Sequence, residues 1–297
     1  MEQTEKYIYN CPICNSNQFE LFLDTKDYFL TKENFKLVKC SSCSFVFTNP
    51  RPPDHDLSKY YQSPDYLSHT ARKRNLKDFV YQYLRSINIR RKFKLVKQFG
   101  KGNNILDIGS GTGELLNYFK KKGWNVVGIE PNEDARKFAV NTYQIAIYDE
   151  KHLKKLKENS FDVITLWHVL EHVPDLNATL QKIKKGLKKY GYLVIAVPNI
   201  EAPDFYKYRE KWAALDVPRH LYHFSPKTLS LLLENHGLTI IDKKPMLFDA
   251  YYVSLLSEGY KHRKIPYLPA IINGFVSNKK AKKNNNYSSM IFVAKQK

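Results

Sequence analysis

Between Asn104 and Leu116 the chain reads Asn-Ile-Leu-Asp-Ile-Gly-Ser-Gly-Thr-Gly-Glu-Leu-Leu, an apolar run that breaks into a glycine-rich turn and resumes at helical spacing. Ile105, Leu106 and Ile108 predict a buried strand, and Leu115, Leu116 and Phe119 predict the helix that follows. Gly109, Gly111 and Gly113 allow a sharp turn and a close approach of main chain to a ligand. A second strand, Asn125-Val-Val-Gly-Ile-Glu130, ends in an acid placed to accept ribose hydroxyls. Strand, loop, helix, strand and acid in this order describe a nucleoside-binding βαβ unit. Dinucleotide binding asks for G-x-G-x-x-G and a pyrophosphate on the helix N-terminus. Here the spacing is G-x-G-x-G, and Asp107 stands two residues before the first glycine. A carboxylate there repels a pyrophosphate and suits a cofactor that carries an ammonium group.

All four cysteines precede residue 44, as Cys11-Pro-Ile-Cys14 and Cys40-Ser-Ser-Cys43. Two C-x₂-C turns let four thiolates meet at one tetrahedral ion, which predicts a closed, structural zinc site. Phe19–Leu23 and Phe35–Val38 read as short strands between the turns, and so small a ribbon depends on its metal to fold. The expected organisation is a zinc-ribbon module over 1–53, a helical linker or lid over 54–100 and the large domain over 101–297. In the linker, a basic amphipathic helix is expected over about 72–98, preceded by the tyrosine-rich segment from Tyr60 to Tyr66.

The βαβ unit together with Gly128-Ile-Glu-Pro131 and Ser160-Phe-Asp-Val-Ile164 resembles the class I methyltransferases, over about Ile105 to Pro198. The resemblance implies an α/β, Rossmann-like sheet of seven strands with S-adenosylmethionine across the strand tips. It implies that Asp107, Gly109, Ser110, Gly111 and Gly113 hold the methionine part and that Glu130 and Pro131 hold the ribose. Asp149 or Glu150 would face the adenine, and Trp167 and His168 would line the cofactor. With the cysteine turns added, the chain is similar to a bacterial subgroup that carries a zinc module before the catalytic domain and acts on sugars and other small metabolites. It is also similar to quinone O-methyltransferases.

Methyl transfer from a sulfonium needs an acceptor held in line and a base to take its proton. Histidine suits that task. The candidates are His220, His172 and His223, in that order, in the segments Trp167–Pro174 and Asp216–Pro226 that follow strand tips. His168-Val-Leu-Glu171-His172 matches a metalloprotease motif, but Pro174 and the preceding strand deny it the continuous helix it needs. The reading is a methyltransferase acting on an O (or C) atom of a small metabolite such as a sugar derivative. The alternatives are an RNA methyltransferase and a non-catalytic cofactor-binding protein.

The net charge of +19 admits a nucleic-acid partner, yet the lysines are scattered as on solvated helix faces. Apolar runs are too short for a transmembrane segment, and the N-terminus has no apolar signal region, which points to a cytoplasmic protein. Ser225-Pro226 should cap a helix that stops at Gly237, with strands at Leu238–Ile241 and Ser288–Ala294. Residues 248–287 form an insertion between those strands. Its apolar residues are expected to pack over the core or cap the pocket, and Lys279–Asn286 to form a loop.

Overall fold

The computed structural model describes residues 5–61, 76–99, 102–262 and 266–297, with side chains from residue 85 onward in the second stretch. Most of the expected tyrosine-rich segment after Tyr61, and the start of the linker helix, lie outside the described residues.

Seven strands form the large sheet: β4 (Asn104–Ile108), β5 (Asn125–Ile129), β6 (Ala146–Tyr148), β7 (Phe161–Trp167), β8 (Leu187–Pro198), β10 (Leu238–Pro245) and β11 (Ser289–Gln296). Their order is β10-β11-β8-β7-β4-β5-β6. The strands from β6 to β8 are parallel, whereas β11 pairs antiparallel with both β8 and β10. Strands buried on both faces read as unbroken apolar runs. Side-chain alternation then divides them, so that Ile105, Val163, Val194 and Val293 enter one core while Leu106, Ile164, Ile195 and Phe292 enter the other.

The first face is covered by α1 (Leu76–Phe99) through Val96, α2 (Glu114–Lys121) through Leu116 and Phe119, and α3 (Glu133–Tyr143) through Ala139. The second is covered by α4 (Leu176–Gly186) and α6 (Pro226–Asn235). Asn132 and Asp175 cap α3 and α4 by accepting the amides of Ala135 and Ala178. Ser225 and Thr228 close a reciprocal capping box on α6.

The N-terminal strands β1 (Phe19–Lys26), β2 (Asn34–Cys40) and β3 (Val46–Thr48) form a separate sheet whose fourth strand, β9 (Tyr222–His223), comes from the other end of the chain. Val46 pairs with His223 and Phe47 with Tyr222. The cysteine end and Phe45 and Phe47 join the core that holds α4 and α6. The opposite face, with Leu37 and Val46, packs against Phe205 of α5 (Pro203–Tyr208) and against Trp212, Leu215 and Val217. Apolar contacts from both faces tie the ribbon to the rest of the chain, while much of β1 stays exposed.

The 248–287 insertion folds as α7 (Asp249–Lys261) and α8 (Tyr267–Ala281), so part of the expected Lys/Asn loop is helical. Val253, Leu256 and Tyr260 of α7 pack over the core as anticipated, but the large apolar residues of α8 do not. Helix α8 turns Ala270, Gly274, Ser277 and Ala281 inward and leaves Tyr267, Leu268, Ile271, Ile272 and Phe275 exposed. The reason is close helix approach: a Cβ on Gly274 would lie 2.8 Å from Tyr251 Cα. Among the described residues, no helix is long and apolar enough to cross a membrane.

Candidate active site

At the tip of β4, Asp107 is buried and accepts a 2.5 Å hydrogen bond from Thr165 Oγ1 on β7. Burial raises its pKa to about 6, against the lowering effects of Thr165 and of Lys92 on α1. The turn that follows needs positive φ at Gly109 and Gly111. A Cβ on Gly109 would strike Val169 at 2.3 Å, whereas one on Gly111 would meet nothing within 4 Å, so the loop opens there. Glu130 is also buried. Its two oxygens accept the amides of Gly111, at 2.8 Å, and Asn132, at 2.9 Å. The carboxylate is thereby held rigid with further lone pairs free for hydroxyl donors. Ser110 Oγ and Trp167 Nε1 are buried without a hydrogen-bond partner, as groups awaiting a polar ligand would be. Pro131 and Asp149 are exposed, Pro131 after β5 and Asp149 one strand further out, after β6.

Trp167 and His168 sit where β7 ends. Lys92 Nζ lies 4.2 Å from the Trp167 ring centroid. His168 takes a left-handed conformation, φ 57°, and lies between two acids: Nδ1 is 3.4 Å from Glu171 Oε1, and Nε2 is 3.1 Å from Asp249 Oδ2 at the start of α7. Burial opposes charge on the ring, but the two carboxylates outweigh it and raise the pKa to about 10. His168 is therefore an imidazolium at neutral pH and no base.

Beyond it, the rings of His172 and His220 meet edge to face, 4.6 Å between centroids. Nδ1 of His172 lies 3.0 Å from Arg219 O, and Nδ1 of His220 lies 2.9 Å from Ala214 O. A carbonyl can only accept, so Nδ1 of His220 donates to Ala214, whereas Nδ1 of His172 also meets the Tyr61 hydroxyl at 3.0 Å, a group that can donate as well as accept. Burial, with His220 nearby, lowers the pKa of His172 to about 4. Glu171 is fully buried, and its carboxylate is held by the ion pair with His168 rather than by an aligned hydrogen bond. Ligand atoms of Glu171, His172 and His220 lie within 4.8 Å of one another, a donor set that could also hold a divalent cation. His223 stands apart from this group. It is buried in β9, its Nε2 3.5 Å from Thr48 Oγ1 of the ribbon, with a pKa lowered by burial to about 3.

The ribbon reaches the same histidines. Thr48 Oγ1 donates to His220 O at 3.1 Å. Arg219 donates to Asp216 at 2.5 Å and to the Tyr60 carbonyl at 3.0 Å, and reaches Asp27 of the ribbon at 3.4 Å. Asp27 is fully buried and accepts the amides of Phe29, Leu30 and Thr31 as well. At the other end of the ribbon the four cysteines cluster. Cys11 and Cys43 sulfurs are 3.6 Å apart, those of Cys14 and Cys40 3.5 Å apart, and all are free thiols. Amides of Ile13 and Cys14 donate toward Cys11, and those of Ser42 and Cys43 toward Cys40.

A family model described as "Methyltransferase domain" matches residues 81–243, more than half of the chain. The protein belongs to this family, and its seven-stranded sheet is the Rossmann-like methyltransferase fold. A ubiquinone biosynthesis O-methyltransferase from Actinobacillus pleuropneumoniae is 36% identical over 109 residues, covering 33% of this chain and 47% of that one. The enzyme of the same description from Hydrogenovibrio crunogenus is 32% identical over 120 residues, covering 36% and 48%. The chain thus spans about half the length of the curated relatives it matches. The crystal structure of PH0226 protein from Pyrococcus horikoshii superposes with a TM-score of 0.50 at 15% identity, covering 81% of this chain and 99% of that one, a likeness of fold.

Lys92, Asp249, Asp27 and Arg219 went unnoticed in sequence. Arg219 carried a signal, because it adjoins a candidate histidine between Asp216 and His220. Lys92 and Asp249 carried none, being brought in by helices far from any motif.

Proposed function

We propose that the protein is an S-adenosylmethionine-dependent methyltransferase that transfers a methyl group to an oxygen atom of a small hydroxylated metabolite. The observation that carries this reading is the buried pair His172 and His220, ring to ring at 4.6 Å, with His172 following the β7 tip that carries Trp167 and His168. The buried acids Asp107 and Glu130, the open face at Gly111 and the unpaired Ser110 and Trp167 donors fit the cofactor. Bound there, S-adenosylmethionine supplies an electrophilic methyl group. Asp107 would hold its ammonium and Glu130 its ribose hydroxyls. Ring nitrogens fixed by backbone carbonyls lose little orientation when they take an acceptor proton, which favours O-methylation over C-methylation. The name of the matched relatives agrees with that preference. A sugar derivative remains within the acceptor class that such a site would take.

We infer further that Cys11, Cys14, Cys40 and Cys43 hold a structural zinc ion. Sulfurs at about 2.3 Å from zinc stand about 3.8 Å apart, close to the separations between the clustered thiols, whereas a disulfide needs about 2.0 Å. Four thiolates leave no open coordination position, so the ion's contribution is to the fold.

Calorimetry on purified protein tests the cofactor. Binding of S-adenosylmethionine should weaken about a hundredfold in Glu130→Ala, through loss of charge-assisted hydrogen bonds. Turnover on a panel of hydroxylated acceptors should fall by about 10²–10⁴ in His220→Asn or His172→Asn with cofactor binding retained. No binding to zinc-loaded wild type would defeat the central claim. Full turnover in both histidine variants would defeat the assignment of the base.

A further inference from the structure

A surface helix of a soluble domain ordinarily buries its large apolar residues and exposes its polar ones. Helix α8 does the reverse. Its positions 270, 274, 277 and 281 are the small residues Ala, Gly, Ser and Ala, and they face the protein. Gly274 admits α7 at contact distance, and Ser277 Oγ donates to the buried Asp204 at 2.9 Å. The outer face carries Tyr267, Leu268, Ile271, Ile272, Phe275 and Val276, between 38% and 68% exposed. Recurrence at i, i+4 and i+8, in two adjacent rows, makes them one continuous ridge. Leu247, whose carbonyl accepts from Asn278 of α8, and its neighbour Phe248 extend the exposed apolar surface to the start of α7.

Along the sequence, the charge from the end of α7 onward has one sign. From Gly259 to Lys297 the sequence contains nine Lys and Arg and no Asp or Glu. Exposed cations stand at both ends of α8: Lys261 before it, and Lys279, Lys280, Lys282 and Lys283 at and after its end. This arrangement decides the occupant. Two copies of the chain meeting ridge to ridge would bring cations against cations in either orientation, parallel or antiparallel. The ridge is also convex, and its exposed residues carry no polar groups beyond the Tyr267 hydroxyl with which to recognise a particular protein surface.

We propose that α8 lays the protein on an anionic lipid surface, with the apolar ridge entering the boundary between headgroups and acyl chains and the flanking lysines on the headgroup phosphates. Apolar area and electrostatic attraction act together in such interfacial helices. Asp249, which follows Phe248, is the residue that meets His168. The docked face is therefore continuous with the wall of the candidate site.

The test is co-sedimentation of the full-length protein with vesicles of mixed phosphatidylglycerol and phosphatidylcholine, and with phosphatidylcholine alone. Binding is expected on the anionic vesicles, weaker on the neutral ones and reduced by salt. The double variant Ile271→Glu, Phe275→Glu should bind at least about tenfold more weakly with an unchanged thermal melting curve. Lys279, Lys280, Lys282 and Lys283 replaced by Gln leave the ridge intact. That variant should lose roughly a hundredfold or more on anionic vesicles and little on neutral ones. Absence of wild-type binding overturns the proposal, as does binding unaltered in both variants. A concentration-dependent dimer, or a complex with an acidic protein, abolished by the Glu variant without any vesicle binding would assign the ridge to a protein partner and overturn it too.

Discussion

Glu130 and His220 are held in opposite ways. Glu130 is fixed by two backbone amides that are two and nineteen residues distant in sequence, inside a single βαβ unit. His220 is fixed by the Ala214 carbonyl on its own segment, and its main chain is gripped by Thr48, 172 residues away. Next to it, Arg219 spans 192 residues to Asp27. The proposed cofactor half of the site is thus a local structure. The proposed acceptor half is instead tied to the ribbon through Thr48 and Asp27. A difference of this kind predicts that damage to the ribbon should strike turnover and spare cofactor binding.

The most severe way to break the comparison is at the cysteines. Cys40→Ser, or removal of the ion by a strong chelator, should lower turnover by about 10³-fold or more through collapse of the ribbon, while S-adenosylmethionine affinity changes less than about tenfold. Parallel loss of both, measured by calorimetry and a methyl-transfer assay on the same sample, would mean that the halves are one cooperative unit. A sharper cut is Asp27→Asn, which leaves the ribbon's thiols intact and weakens the buried pair with Arg219. Breaking a buried ion pair destabilises by about 3–5 kcal/mol, and kcat should fall with little change in cofactor affinity. Arg219→Lys should resemble it, because lysine cannot serve Asp216, Asp27 and the Tyr60 carbonyl together.

The smallest effect belongs to the cofactor half and to pH. Asp107 titrates near 6 in the free protein because it is buried. A ligand ammonium favours the ionised carboxylate, so affinity should be constant above that pH and weaken below it, by about tenfold for each unit. Asp107→Asn should bind more weakly at neutral pH and show no such slope. A flat profile in the wild type would mean that Asp107 does not face the charged end of the cofactor.

The same contrast explains what could be read in advance. The β4–α2–β5 unit, both cysteine turns, the Ser225 cap and the terminal strands are encoded by neighbouring residues, and each is found where its pattern lies. His168 was recognisable as a residue at a strand tip. Its charge was not, because Asp249 reaches it from an insertion helix eighty-one residues on, and only that second acid makes the imidazolium secure. Residues 222–223 gave no hint of a strand, since two residues have no periodicity to detect and their partner is Val46-Phe47. Helix α8 misled for a related reason. An apolar segment is expected inside, yet the small residues at every third or fourth position sit closest to α7, and they occupy the inner face.

Strand β9 has a consequence for how this protein can be recombined. The ribbon lies at the N-terminal end of the sequence and carries its own cluster of four cysteines, which invites its exchange for the ribbon of a relative. Its sheet, however, is completed by Tyr222 and His223, and its buried acid is answered by Arg219. A transplanted ribbon would bring an open edge and an unanswered carboxylate unless the Asp216–Phe224 segment travelled with it. The ribbon's structural unit is therefore discontinuous, and a chimaera joined at a single point near residue 53 separates the ribbon from the strand that completes its sheet.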